Sequence, residues 1–361
     1  MTFTLNLAII GPGLVGSEFI SQIAAYQARN AATRFSVVAI ANSRRQILSS
    51  KVSLSNWKTD LEGSNAQSAD LSKLIDHAAA HSPCVVVDCT SNETVASSYP
   101  AWLDRGLHIV TPNKKAFSGS LSLWEDLQKK SAGKSKVFHE STVGAGLPIL
   151  STLKDLVDSG DEIVKIEGIF SGTLSYIFNN FSSTDPSAAP QRFSDTVTVA
   201  KNQGYTEPDP RDDLNGMDVA RKVVILGRVA GIPLDLSTLP VENIVPSELR
   251  SIPTSEEFMA KLPEFDDHFT QLNESAKKEG AVLRLVGVVD PKGGSSVKLV
   301  KYAGSHPFAS LKGSDNIIAF TTKRFPNPLI IQGAGAGAAV TAFGMFSDVL
   351  KIASQVGYAS L

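Results

Sequence analysis

The chain has only two cysteines in 361 residues, Cys84 and Cys89, too few for a disulfide framework. It also lacks any excess of charge: 34 Lys and Arg against 36 Asp and Glu leave a formal net charge of −2. A chain so balanced presents no global field to attract nucleic acid or an anionic membrane. No apolar run approaches the roughly 18–20 residues that a membrane span needs. The opening Met1-Thr2-Phe3-Thr4-Leu5 has no basic flank of the kind that precedes a secretory signal. Internal repeats and low-complexity tracts are absent too. These absences exclude a membrane protein, a secreted disulfide scaffold and an obvious nucleic-acid binder, and leave a globular protein expected in the cytoplasm. The length allows about two domains of roughly 100–200 residues.

What is present is a rhythm. Through about residue 140, apolar runs of strand length (Thr4–Ile10, Phe35–Ala41, Val85–Asp88, Leu107–Val110, Lys136–His139) alternate with helical stretches. The helices run from the first glycine turn to about Ala28, then over Leu71–Ala80, Thr94–Leu103 and Leu121–Lys130. Near-continuous apolar strands in this alternation predict a doubly wound parallel sheet covered on both faces, an α/β Rossmann-type nucleotide domain. After Gly144 the rhythm changes. Helices are expected at Leu147–Val157, Leu174–Phe181, Phe193–Asn202 and Met217–Ala230, with short helical pieces in the Pro-punctuated stretch Leu236–Thr270. Strands are expected at Ile163–Phe170, Val282–Val289, Val297–Tyr302, Asn316–Thr321 and Leu329–Ile331. This predicts a mixed α/β second domain over 150–335. Residues 1–149 and the closing helix, within 336–361, make up the first.

Gly11-Pro12-Gly13-Leu14-Val15-Gly16 is a G-x-G-x-x-G directly after a strand and opening a helix, the context that gives the pattern weight. The first glycine permits the tight turn, the second lets the backbone approach a pyrophosphate, and the third lets helix and strand pack closely. The helix N-terminus offers its N–H groups to the phosphates. An NAD-specific site carries an acid about 20 residues on. Here no Asp or Glu occurs between Glu18 and Asp60, and the second strand ends in Asn42-Ser43-Arg44-Arg45. Arg44 is placed to pair with a 2′-phosphate, so NADP is expected to be accepted alongside NAD. Alternatively, Arg44 and Arg45 open a solvated helix. In the turn Asp88-Cys89-Thr90-Ser91-Asn92, at the carboxyl edge of the sheet, Thr90 is placed to meet cofactor and Ser91 or Asn92 to cap a helix.

Thr111-Pro112-Asn113-Lys114-Lys115 follows another strand at that edge, which favours one lysine inward and one in water over two solvated lysines. Gly204-Tyr205-Thr206-Glu207-Pro208-Asp209-Pro210-Arg211-Asp212-Asp213 is the richest polar stretch, stiffened by prolines as suits a loop that holds carboxylates in place. It leads into a helix on which Asp218, Lys222, Ile225 and Val229 share one stripe. Val223-Val224-Ile225-Leu226 follows Lys222 and predicts a largely buried helix, so Lys222 is either a proton donor or acceptor in a cleft or half of an exposed pair with Asp218. Glu140 and the glycine-bent turn to Leu147 are either a hinge or an oxygen-donor cation site. His77 and His81 lack a third metal ligand, and Cys89 reads better as a buried thiol than as a nucleophile.

Taken together, GPGLVG, TPNKKAF (Thr111–Phe117), HESTVGAGLP (His139–Pro148), KIEGIFSGTLSYIF (Lys165–Phe178), GYTEPDPRDDLNGMDVARK (Gly204–Lys222), SHPFASLKGSDN (Ser305–Asn316) and QGAGAGAAVTA (Gln332–Ala342) resemble the homoserine dehydrogenase family in its short fungal form. The resemblance implies NAD(P)-dependent interconversion of L-homoserine and L-aspartate 4-semialdehyde, on the route to threonine and methionine, and a homodimer. It implies Lys222 as proton donor or acceptor and Lys114 as a second active-site lysine beside the cofactor. Glu207, Asp218 and Asp213 fall in the substrate site. Gly11, Gly13, Leu14, Val15, Gly16, Thr90, Gly204 and Gly337 match cofactor contacts. Glu140 with the carbonyls of Val143, Ala145 and Leu147 matches a sodium site. Two other readings are a semialdehyde dehydrogenase forming a thioester at Cys89, and a non-catalytic NADP-binding sensor.

Overall fold

The computed structural model describes residues 4–30, 34–185 and 187–357. The chain divides into two compact units, Met1–Pro148 with Gly337–Leu361, and Ile149–Ala336.

The first unit holds a seven-stranded sheet built from β1 (Thr4–Ile10), β2 (Arg34–Ala41), β3 (Arg45–Leu48), β4 (Gln67–Ser68), β5 (Cys84–Asp88), β6 (His108–Val110) and β7 (Val137–Phe138), in the order β4-β3-β2-β1-β5-β6-β7. The five strands from β2 to β7 in that order run parallel, while β3 and β4 add an antiparallel edge. β5 reads Cys-Val-Val-Val-Asp and is buried at every position, as expected of a strand covered on both faces. The core joins Leu5, Leu7 and Ile9 of β1 to Phe19 and Ile23 of helix Leu14–Arg29, and to Val349 and Ile352 of the closing helix Ala338–Gln355. Phe346 of the closing helix meets Phe19, Tyr26 and Phe35 edge-on at 6.3, 5.2 and 5.6 Å.

Two readings for this unit need correction, and one element is additional. Arg44 and Arg45 do not open a helix; Arg45 begins β3, whose Gln46 pairs with Ala41. The helix expected over Thr94–Leu103 is two, Glu93–Ser97 and Tyr99–Asp104, because Pro100 has no N–H to continue the first and instead sits in the first turn of the second. A further short helix, Trp57–Glu62, buries Trp57 and Leu61.

The second unit is built on an antiparallel five-stranded sheet of β8 (Ile163–Ile169), β9 (Ala281–Val289), β10 (Ser296–Ala303), β11 (Asp315–Thr322) and β12 (Leu329–Ala334), in the order β10-β9-β8-β11-β12. The stretch expected to hold only short helical pieces runs into a 13-residue helix, Asp266–Lys278, whose mostly polar sequence hides its narrow buried stripe of Phe269, Asn273 and Ala276. Helix Met217–Val229 lies against β9 at Gly287, where a Cβ would come within 2.6 Å of Val223 and 2.7 Å of the Phe170 ring. That glycine sets the depth at which Lys222 is held. Val219, Val223, Val224, Ile225 and Leu226 are buried along the same helix. Each contributes about 1.5–3 kcal/mol of apolar burial, which offsets the cost of carrying an ammonium inward.

Candidate active site

The glycine turn of the first unit has the geometry of a dinucleotide cradle. Gly11 sits at φ +80°, and a Cβ on it would fall 2.6 Å from the Thr90 methyl. A Cβ on Gly16 would fall 2.7 Å from the Gly11 carbonyl oxygen, so strand and helix meet there with no room for a side chain. At Gly13 a Cβ would meet nothing within 4 Å, leaving open space beside the helix N-terminus. Leu14 is 86% exposed and Val15 half-buried. These features fit a bound pyrophosphate. At the end of β2, Asn42 Oδ1 accepts from the N–H groups of Arg44 and Arg45, at 2.8 Å each. The Arg45 guanidinium donates to the carbonyls of Glu62 and Gly63 at 2.6 and 2.8 Å. Of the two arginines, Arg45 is thus tied to its own fold, and Arg44 stands exposed at the turn.

Asp88, at the end of β5, organises the neighbouring turns. Its Oδ1 accepts from Thr90 N–H at 2.8 Å, and its Oδ2 accepts from the Tyr99 hydroxyl at 2.5 Å and from Asn113 Nδ2 at 3.2 Å. The Thr111 hydroxyl donates to the Asp88 carbonyl at 2.9 Å, and Asn113 Nδ2 reaches Asn92 O at 3.0 Å. Burial pushes the Asp88 carboxyl above its ordinary range, against the pull of these donors. Asn92 caps helix Glu93–Ser97 through Val95 N–H. The residues on either side of Lys114 are held by this network, since Asn113 Oδ1 also accepts from Lys115 N–H at 3.1 Å. Lys114 is half-buried, whereas the Lys115 ammonium pairs with Glu93 at 3.3 Å. Cys89 packs against the core and burial raises its thiol above the ordinary value, the reverse of what a thioester-forming nucleophile needs.

Beyond β7, His139 stacks on Phe117 at 3.8 Å, and burial lowers its imidazole to about 3, so it is neutral at physiological pH. Glu140 is buried; its N–H donates to Asp348 Oδ2 at 2.9 Å, and Lys351 Nζ lies 3.4 Å from its Oε2 and 3.0 Å from Asp348 Oδ1. Burial raises Asp348 to about 6, against the opposing pull of Lys351. Gly144 and Ala145 both take left-handed backbone, at φ 72° and 55°. For Ala145 that conformation is costly and marks a turn held for a purpose. Glu140 and the main-chain carbonyls of this turn are oxygen donors of the kind a hard cation takes, and the Lys351 ammonium is the cation that Glu140 meets here. Among the described residues no group of three or more His, Cys, Asp or Glu is arranged for a metal, and the His77 and His81 rings lie 4.3 Å apart, tilted by 41°. Gly337, at φ 119°, caps the closing helix.

In the second unit Lys222 is 7% exposed, and its ammonium donates to Asp218 Oδ2 and to Phe170 O, at 2.6 Å each. The exposed pair considered from sequence is therefore half correct: Asp218 is 45% exposed at its side chain, and Lys222 is not. Asp213 Oδ2 accepts from Glu207 N–H at 2.8 Å. Burial, helped by the charges of Glu207 and Asp218, raises Asp213 to about 6, against hydrogen bonds from Glu207 and Thr173. The loop is clamped from outside. Arg211 forms a bidentate pair with Asp209, donates to Ile252 O at 2.5 Å, and lies over the Phe258 ring. Gly204 is exposed at φ +73° with nothing near its Cβ position, and the Tyr205 carbonyl accepts from Thr173 Oγ1 at 2.6 Å. Glu207 is exposed. Asp88, Tyr99 and Thr173 escape a reading of sequence motifs because each acts through partners distant in the chain. The one local signal is the Asp88-Cys89-Thr90 turn itself.

A family model described as homoserine dehydrogenase matches residues 148–350, and one described as its NAD-binding domain matches residues 11–140. The homoserine dehydrogenase of Saccharomyces cerevisiae is 48% identical over 98% of this chain and 99% of its own length. The bifunctional aspartokinase/homoserine dehydrogenase 1 of Arabidopsis thaliana is 49% identical over 98% of this chain and 39% of its own. A crystal structure of a Candida auris protein of unknown function superimposes with a TM-score of 0.92 at 49% identity, covering 98% of this chain and 99% of that one. A hyperthermophilic archaeal homoserine dehydrogenase bound to NADPH shares the fold, with a TM-score of 0.74 at 22% identity over 99% of this chain and 100% of its own. The chain belongs to the homoserine dehydrogenase family and is an NAD(P)-dependent oxidoreductase of that family.

Proposed function

We propose that the first unit holds the nicotinamide cofactor, while the second holds the amino-acid substrate and supplies the proton. The reaction interconverts L-homoserine and L-aspartate 4-semialdehyde, on the route to threonine and methionine. One observation carries the assignment of roles: the Lys222 ammonium rests between Asp218 Oδ2 and Phe170 O at 2.6 Å each, on a helix that buries Val219, Val223, Val224, Ile225 and Leu226 around it. An ammonium held in this way stabilises an alkoxide as it forms and then gives up its proton; in the oxidative direction the neutral amine takes the proton from the hydroxyl. The glycine turn would hold the pyrophosphate of a reduced nicotinamide cofactor, which would supply the hydride when bound. Glu207 pairs with the substrate ammonium, and Asp213 holds the Glu207 backbone in place. Such positioning supplies up to about 7–11 kcal/mol of a barrier. Lys114 adds a second cationic donor, on a backbone flanked by the Asp88 network. Gly204 leaves its backbone open to close approach.

Arg44, exposed where an NAD-specific site would carry an acid, supports use of NADP as well as NAD. Glu140, with the carbonyls of Val143, Ala145 and Leu147, holds a sodium ion; the buried carboxylate and the left-handed Gly144 and Ala145 support this. The protein works as a homodimer in the cytoplasm. Support for the dimer comes from β12, an edge strand with Ile330 41% exposed, since such an edge calls for cover. Among the described residues no helix is long and apolar enough to cross a membrane.

The test is an absorbance assay at the reduced-nicotinamide band, with L-homoserine and each cofactor in turn. Turnover is expected with both cofactors, and Arg44→Ala should raise the KM for NADP more than that for NAD. Cofactor binding without turnover would favour a sensor. Activity abolished by iodoacetamide would favour a role for Cys89.

A further inference from the structure

Asn316, at the second position of β11, is fully buried, and its neighbour Ile317 pairs with Ile169 at the end of β8. Its Nδ2 donates to Phe170 O at 3.1 Å, the same oxygen that receives the Lys222 ammonium at 2.6 Å. Its Oδ1 has no hydrogen-bond partner among the described residues. The reverse orientation of the amide would set two acceptors against each other, so this one is required. A buried acceptor left unmade is unfavourable, and an apolar side chain of the same shape would avoid that cost. Stability alone therefore does not account for an amide here. Gly335 makes the room for it: a Cβ at that position would overlap the Asn316 amide.

We propose that Asn316 is a positioning residue for Lys222, acting through the Phe170 carbonyl. This rests on the assignment of Lys222 as proton donor and acceptor. Phe170 directly follows β8 and Ser171 caps the next helix, Gly172–Phe181, so the Phe170–Ser171 peptide lies at a junction between strand and helix. Asn316 Nδ2 takes one lone pair of the Phe170 oxygen and thereby fixes the direction in which the other is offered to Lys222. With Asp218 holding Nζ from the helix side and the oriented carbonyl from the sheet side, rotation about the Cε–Nζ bond is arrested. The protons of Lys222 are aimed before substrate arrives. Loss of the amide leaves Lys222 buried and paired with Asp218 but releases its orientation, which slows proton transfer without weakening cofactor binding.

The experiment compares Asn316→Leu, which keeps the shape and removes the donor, with Gly335→Ala, which displaces the amide without altering it. Lys222→Ala is measured alongside. The readouts are kcat, the KM of each substrate, and the solvent deuterium isotope effect on kcat. Both Asn316→Leu and Gly335→Ala should lower kcat about tenfold or more, leave the cofactor KM within about twofold, and enlarge the isotope effect over that of the unaltered enzyme. Should Asn316→Leu fail to fold, Gly335→Ala carries the same prediction. A kcat within about twofold of the unaltered enzyme, or a loss of rate with an unchanged isotope effect, overturns the proposal, provided Lys222→Ala is inactive. An active Lys222→Ala instead overturns the assignment on which the proposal rests.

Discussion

Half-buried Asp213 and fully buried Arg284 are ionisable groups that do opposite work. Asp213 is held near a value of about 6, chiefly by burial. Its folded value lies above the ordinary 3.8, so its ionisation works against folding: the contribution is fully favourable below 3.8 and is lost as pH rises through about 6. Asp213→Asn should therefore be more thermally stable than the parent at pH 8, with the difference vanishing toward pH 4 in melting curves. Its effect on the substrate site has the other sign. As pH falls through about 6 the carboxylate takes a proton, Glu207 N–H loses a charged acceptor, and the KM for homoserine should rise. Asn at 213 should remove that inflection. Among the described residues Arg284 pairs with no carboxylate. Its guanidinium donates to the carbonyls of Phe178, Ser182, Leu283, Phe308 and Ala309, and burial lowers it only to about 10, so it stays charged. Arg284→Met should lose about 3 kcal/mol or more by chemical denaturation, because the carbonyls lose their shared donor.

The first βα turn assigns different work to each of its glycines, and substitutions can separate these. Gly13→Ala adds a methyl into open space, so the fold should keep its melting temperature while the cofactor KM rises tenfold or more. Gly16→Ala drives a methyl into the Gly11 carbonyl and should lower the melting temperature as well. This turn is legible in the sequence because its physics is local: strand, glycines and helix follow one another within a dozen residues. The same holds for Lys222, whose burial is announced by Val223-Val224-Ile225-Leu226. The β3–β4 edge is illegible because Arg45-Gln46-Ile47-Leu48 is short and half polar, and its pairing with β2 depends on the Asn42 turn. Arg284 reads as a blemish in the apolar run Val282–Val289, since its partners lie up to 106 residues away. Asp88 reads as the end of a strand. Only the folded chain brings Tyr99, Thr111 and Asn113 to it.

The proposed dimer and the proposed cation site are both tested on the intact chain. Light scattering should return twice the 38.4 kDa chain mass if the second sheet pairs with its copy. Transfer from sodium to choline chloride should lower the melting temperature, sodium should restore it, and Glu140→Gln should abolish the difference; identical melting in the two salts would contradict the cation site. Both depend on features that composition does not reveal, an uncovered strand edge and two left-handed residues beside a buried acid. The account as a whole depends on Lys222 as the group that gives and takes the proton. The most direct test is kcat for aspartate 4-semialdehyde reduction by Lys222→Ala, set against its affinity for the reduced cofactor by fluorescence titration. The prediction is a rate lowered by roughly 100-fold or more with affinity unchanged; turnover close to that of the parent enzyme would contradict it.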